Sequence, residues 1–251
     1  MGNLGVKYLS ELNDEIVTDI RSLLKKIQDK GYSGEIEKLY EGFISEVYES
    51  IYTFRESRKI LTVLQYSLKT IYENLNGNNN IRKDAFLINT EDGKSLSEEI
   101  TEGILISARN EHEERKLKYY GYLLGNIMFK EDLDIDECNR LIITSRNLSY
   151  SKIKLINMYV ISQSIQVPIL KRENYTKTGI KDYKLLGILQ DTLDMIQKSV
   201  LNASGKIVLD IVQINPSEIK VQGIGTLLYN NMSLNKMPYD ELEDLLELLS
   251  N

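Results

Sequence analysis

No proline precedes position 168; the three in the chain are Pro168, Pro216 and Pro238. Proline removes a backbone donor and clashes with the preceding helical turn, so its absence leaves long helices free to run through the first two-thirds of the chain. Residues 8–29 use that freedom, placing Leu9, Leu12, Ile16, Ile20, Leu23 and Ile27 at three- and four-residue steps along one helical stripe. Gly31 and Gly34 interrupt it. The stripe resumes over 35–75 through Ile36, Tyr40, Phe43, Val47, Ile51, Phe54, Leu61, Leu64, Leu68, Ile71 and Leu75, and falters at Arg58, where a bend or a second helix is expected. That span far exceeds a mean helix of about 11–12 residues and predicts a long antiparallel helical hairpin or coiled-coil-like arm.

Asn76-Gly77-Asn78-Asn79-Asn80 ends the arm, because Asn and Gly favour turn and left-handed conformations. A polar stretch follows to residue 95, broken only by Ala85-Phe86-Leu87-Ile88. Ser95 or Ser97 then caps a helix expected to reach Met128. Shorter helices are expected from Asp134 or Asp136 to Arg146, from Ser149 or Ser151 to Gln166, and from Asp182 to Ala203, with a basic loop at 167–181. The β-branched run Ile207–Val212, the turn Asn215-Pro216-Ser217 and Glu218–Gln222 predict a β-hairpin, and two short helices near 223–232 and 239–249 complete the chain. The fold class expected is mainly α: a helical hairpin or bundle over 1–130, followed by a smaller winged-helix-like α+β part with one β-hairpin over 131–251.

Composition narrows the chemistry. With 42% apolar and 27% charged residues a packed core is expected. Cys138 is the one cysteine and His112 the one histidine, which excludes an intrachain disulfide and a zinc finger. The net charge of −6 argues against a nucleic-acid footprint over the whole surface, though not against a local one. No apolar run approaches the roughly 20 residues of a membrane span. Glu11, Asp14 and Glu15 arrive before any apolar run develops, so no secretory leader is read and a reducing cytoplasm is the expected location.

Candidate chemistry concentrates in Asn110-Glu111-His112-Glu113-Glu114-Arg115-Lys116. Carboxylates beside the only imidazole suggest a metal or acid–base site, but a carboxylate-bridged bundle needs Glu-x-x-His pairs on two helices, and no second histidine exists. A solvated face laced with ion pairs is the plainer reading, with Glu111 or Glu114 turned inward toward a partner. Asp210, Glu218 and Lys220 match a metal-nuclease pattern only loosely. Cys138 lies among acids that blunt a thiolate, and phosphate-loop and nucleophile-elbow motifs are absent. No catalytic residue, metal or cofactor is assigned.

Gly121 and Gly125, one turn apart, permit another backbone to approach closely and predict a packing groove or oligomer seam. Together with Val47, Ile51 and Phe54 they form the expected protein-interaction surface, for a second copy or another protein. A second reading places nucleic acid on the segment 150–185, where Lys152, Lys154, Lys171, Arg172, Lys177, Lys181 and Lys184 face only Glu173 and Asp182.

Two stretches resemble a known family. Glu111-x-x-Glu114-Arg115-Lys116-x-x-Tyr119-x-x-Tyr122-Leu123-Leu124-Gly125-Asn126 is similar to a helix of bacterial abortive-infection (Abi-alpha-type) proteins. Ile219-Lys220-Val221-Gln222-Gly223-Ile224-Gly225-Thr226-Leu227-Leu228-Tyr229 resembles their strand that turns through a glycine into a short helix, with Val221-Gln222 where those proteins have Thr-Pro. The resemblance spans about residues 96–232 and implies an accessory role in phage defence or on a mobile element, without catalytic residues.

Overall fold

Several helices begin where a Ser, Thr or Asp side chain satisfies one of their first amides. A computed structural model describes residues 2–32, 34–88, 95–163, 170–175, 180 and 182–250, with side chains from residue 13 onward. Among these residues the chain is mainly helical, with one two-stranded antiparallel sheet. It divides into two compact units, Met1–Arg146 and Asn147–Asn251. The division falls beyond the expected 130/131 boundary because the helix after 131 packs into the first unit.

In the first unit α1 (Gly2–Gln28) is followed by α2 (Gly34–Glu49) and α3 (Phe54–Asn76). The expected bend at Arg58 lies instead at 50–53. Thr53 caps α3 by accepting from the Glu56 amide while Glu56 accepts from the Thr53 amide, a reciprocal box strong enough to restart a helix there. The helix expected to follow the polar stretch likewise opens on one of the serines expected for it, Ser95, through a box with Glu98. It does not reach Met128: α4 (Leu96–Asn110) stops, a 3-10 turn covers Glu114–Lys116, and α5 (Leu117–Ile127) continues. α6 (Ile135–Asn147) is capped by Asp134, which accepts from the Glu137 amide at 2.8 Å.

α3 is the hub, packed by α1 and α5 over a buried apolar seam of Leu61, Val63, Leu64, Leu68 and Ile71. The glycines of α5 decide the approach. A Cβ on Gly121 would stand 2.4 Å from Tyr66 Cβ, and one on Gly125 2.6 Å from Thr70 Cβ, so the groove these glycines make is filled by α3 of the same chain. α6 closes the unit, with Cys138 and Leu141 buried and Ile142 beside Gly103.

The second unit contains α7 (Tyr150–Ile161, capped by Ser149), α8 (Tyr183–Gln197, capped by Asp182), α9 (Ile224–Asn231) and α10 (Asp240–Ser250). α10 buries Leu242, Leu245, Leu246 and Leu249. The sheet pairs β1 (Leu201–Asn202) with β2 (Lys220–Val221), in register Leu201 to Val221 and Asn202 to Lys220. The first expected strand, Ile207–Val212, is not one. Ser204 and Gly205 turn the chain through left-handed conformations, and Asp210 captures the Val212 amide to start a 3-10 turn at Ile211–Gln213. Local side-chain bonding thus competes successfully with β propensity.

Candidate functional site: a groove between two parallel helices

α2 and α4 both flank α3 in the first unit and present facing stripes at helical spacing. From α2 come Glu35, Lys38, Leu39, Gly42, Phe43 and Glu46; from α4 come Glu98, Glu102, Leu105, Ile106 and Arg109. Amino-terminal ends face amino-terminal ends, so the helices run in the same direction. Between them lie adjoining cavities of about 330, 320 and 110 Å³ that share lining residues from one to the next. The floor is apolar and buried, made by Leu39, Val47, Ile60 and Leu105. Phe43 is half-buried on the α2 wall and Ile106 is exposed on the α4 wall. Gly42 lies exposed on the α2 wall of the middle cavity, where a Cβ would meet nothing within 4 Å.

The carboxyl-terminal end of the groove is the most structured. Arg109 stacks on the Tyr52 ring at 5.4 Å, and its Nε is buried without a hydrogen-bond partner. Tyr52 donates to Glu46 at 3.2 Å. Beneath this end lies a buried ionic network. Lys59 of α3 donates to the carbonyls of Arg109, at 3.1 Å, and of Glu111. These are last-turn carbonyls that no helical amide reaches, and a cation there also suits the negative end of the helix. Glu111 Oε1 accepts from the amides of His112 and Glu113, both at 2.9 Å, while Oε2 accepts from Tyr120 at 3.2 Å and pairs with Lys116. Burial alone would raise the Glu111 pKa, but Lys116, the Glu113 amide and Tyr120 outweigh it and hold the carboxyl below its ordinary value. Burial, reinforced by the Glu111 charge, pushes the Tyr120 hydroxyl far above its ordinary range.

This network settles which glutamate turns inward. Glu111 is buried, whereas Glu114 faces outward to Arg55 at 3.1 Å and Arg58 at 3.8 Å. His112 is 91% exposed. Ligand atoms of Glu111, His112 and Glu113 lie within 4.8 Å of one another, but the Glu111 carboxylate is already saturated by four donors, one of them an ammonium. The cluster is a helix-breaking ion pair, not a site with a vacant ligand.

The other expected site residues are dispersed. Val47 is buried in its own unit, Phe54 is half-buried, and Gly121 and Gly125 are covered by α3, which leaves Ile51 as the fully exposed member of that set. The apolar ridge expected to need a second copy is therefore largely enclosed by its own chain. In the second unit Lys152 pairs with Asp194 and lies 3.7 Å from Asp191, and Lys154 donates to the Glu241 carbonyl at 2.9 Å. Lys171 lies over the Tyr175 ring at 4.9 Å and Arg172 is exposed. Lys177 and Lys181 lie outside the described residues. Asp210 caps its own turn, Glu218 pairs with Lys206 at 2.5 Å, and Lys220 points outward from β2. These three do not form a nuclease constellation. Cys138 is buried, and burial raises its pKa to about 11, which keeps it an unreactive thiol at neutral pH.

Sequence reasoning missed Lys59, Tyr120, Arg109 and the facing stripes. One signal was present: Lys59, Val63, Ser67, Thr70 and Asn74 form a second, mostly polar stripe on α3, and the α5 glycines meet its Val63, Ser67 and Thr70. No family model, curated protein or solved structure matches the chain.

Proposed function

We propose that this chain is a non-enzymatic helical interaction protein that binds a partner protein through the groove between α2 and α4. The observation that carries this reading is the open line of cavities between two helices with facing apolar and charged stripes, with open space over Gly42 on the α2 wall. Ligand-binding surfaces of helical proteins are commonly such grooves between helices, lined by apolar residues with a few charges that set register. Coverage of Gly121 and Gly125 by α3 of the same chain directs the proposal toward a different protein and away from self-association. The resemblance of residues 96–232 to abortive-infection proteins supplies a setting, an accessory role in phage defence or on a mobile element.

For the second unit, the order of two helices followed by an antiparallel ladder supports a winged-helix-like description in outline. With Lys152 and Lys154 engaged internally, a duplex would meet chiefly Lys171 and Arg172 among the described residues, which makes nucleic acid the lesser reading.

The test is capture of partners from the native host by the natural chain, by Gly42→Ala and by Gly42→Trp. Indole at position 42 projects from the α2 wall into the middle of the groove. The same protein should be retained by the first two and lost by the third, with circular dichroism unchanged. Equal capture by all three removes the groove from the function.

A further inference from the structure

Resting on that reading of the groove, we infer that its occupant is a cationic amphipathic α-helix of the partner, about four turns long. Length comes from the walls: α2 has 16 residues and α4 has 15, so each spans about 22–24 Å. Shape comes from the way those walls are built. Both stripes repeat at three and four residues, and a third helix seated on two others with an apolar seam at the same spacing interdigitates with them.

Charge comes from the rims. Glu35, Glu46 and Glu102 stand along the two edges, with Glu98 half-buried at the amino-terminal end where it also accepts from the Ser95 amide, against Lys38 and Arg109. Arg109 is turned onto the Tyr52 ring. Acidic rims on both sides of an apolar floor favour Lys or Arg on the flanks of the incoming helix and repel carboxylates there. Long basic side chains also bury their stems along Phe43 and Ile106 while their charged ends reach the rims.

The experiment uses the full chain and two labelled synthetic 16-residue peptides, read by fluorescence anisotropy. Both carry Leu at the same three- and four-residue spacing; one has Lys and the other Glu at its remaining polar positions. The Lys peptide is expected to bind at least about tenfold more tightly than the Glu peptide, and to weaken as salt rises. Gly42→Trp should abolish that binding, and the double charge reversal Glu46→Lys with Glu102→Lys should invert the preference between peptides. Both variants are checked by thermal melting. Binding of the Lys peptide that survives Gly42→Trp overturns the inference, since attraction to the net negative protein then suffices. A tighter Glu peptide overturns it too, as does a dimer in sedimentation that Gly42→Trp dissociates, because a second copy is then the occupant. If neither peptide binds while Gly42→Trp still loses its captured partner, the cationic helix is wrong and the groove reading stands. If neither peptide binds and capture is unchanged, both fail.

Discussion

Lys116 is the residue on which the first unit has most to lose. Its ammonium and the Glu111 carboxylate are both buried, so removing one partner strands a charge out of water. Lys116→Met is expected to destabilise the unit by about 3–5 kcal/mol, whereas Glu111→Leu combined with Lys116→Met costs much less, because no unpaired charge remains. Chemical denaturation of the single and double variants measures the difference. The same pair sets a pH dependence. Glu111 titrates below its ordinary value of 4.5 when folded, so its stabilising contribution is complete above that value and is lost as pH falls through the folded pKa. Acid melts should show a steeper loss below pH 4.5 in the natural chain than in Glu111→Gln. Val47→Glu belongs at this scale too. Because Val47 is buried, it should lower the melting temperature and not dissociate an oligomer.

At the scale of elements, glycine separates two kinds of helix face. On α5, Gly121→Ala gains helix propensity of about 1 kcal/mol. It also forces a methyl to within 2.4 Å of Tyr66 Cβ and 2.9 Å of the Val63 carbonyl, an overpacking that costs more than is gained. On α2, Gly42→Ala meets nothing within 4 Å and keeps the propensity gain. The first variant should melt lower than the natural chain and the second higher, in calorimetry of the two side by side. Much of this was legible beforehand. Apolar spacing placed most of the helices, and serine or aspartate marked the starts of α4, α6, α7 and α8. The break between α4 and α5 was not: the segment read as one helix with a charged face and either Glu111 or Glu114 turned inward, and no local signal tells that Lys116 and Lys59 would be buried with Glu111. Nor was the loss of strand at Ile207–Val212, where one aspartate redirects the backbone.

At the scale of the molecule, the division after Arg146 has a direct consequence. Each unit has its own buried core, the first around α3 and the second around α7, α8 and α10. Residues 1–146 and 147–251 expressed apart should each give a cooperative melt and a helical circular dichroism spectrum. A fragment without a transition would show that its core depends on the other.

Periodicity by itself determined that this chain is helical and roughly where its helices lie, because apolar spacing and end-capping are short-range and need no partner. Which apolar faces remain open was decided only by tertiary structure. Glycines read as a packing groove or a seam between copies proved to be a groove packed by α3 of the same chain, and an open face emerged between α2 and α4, where no local signal distinguishes a wall from a core. Burial depends on what the rest of the chain brings alongside, and neighbours distant in sequence supply that.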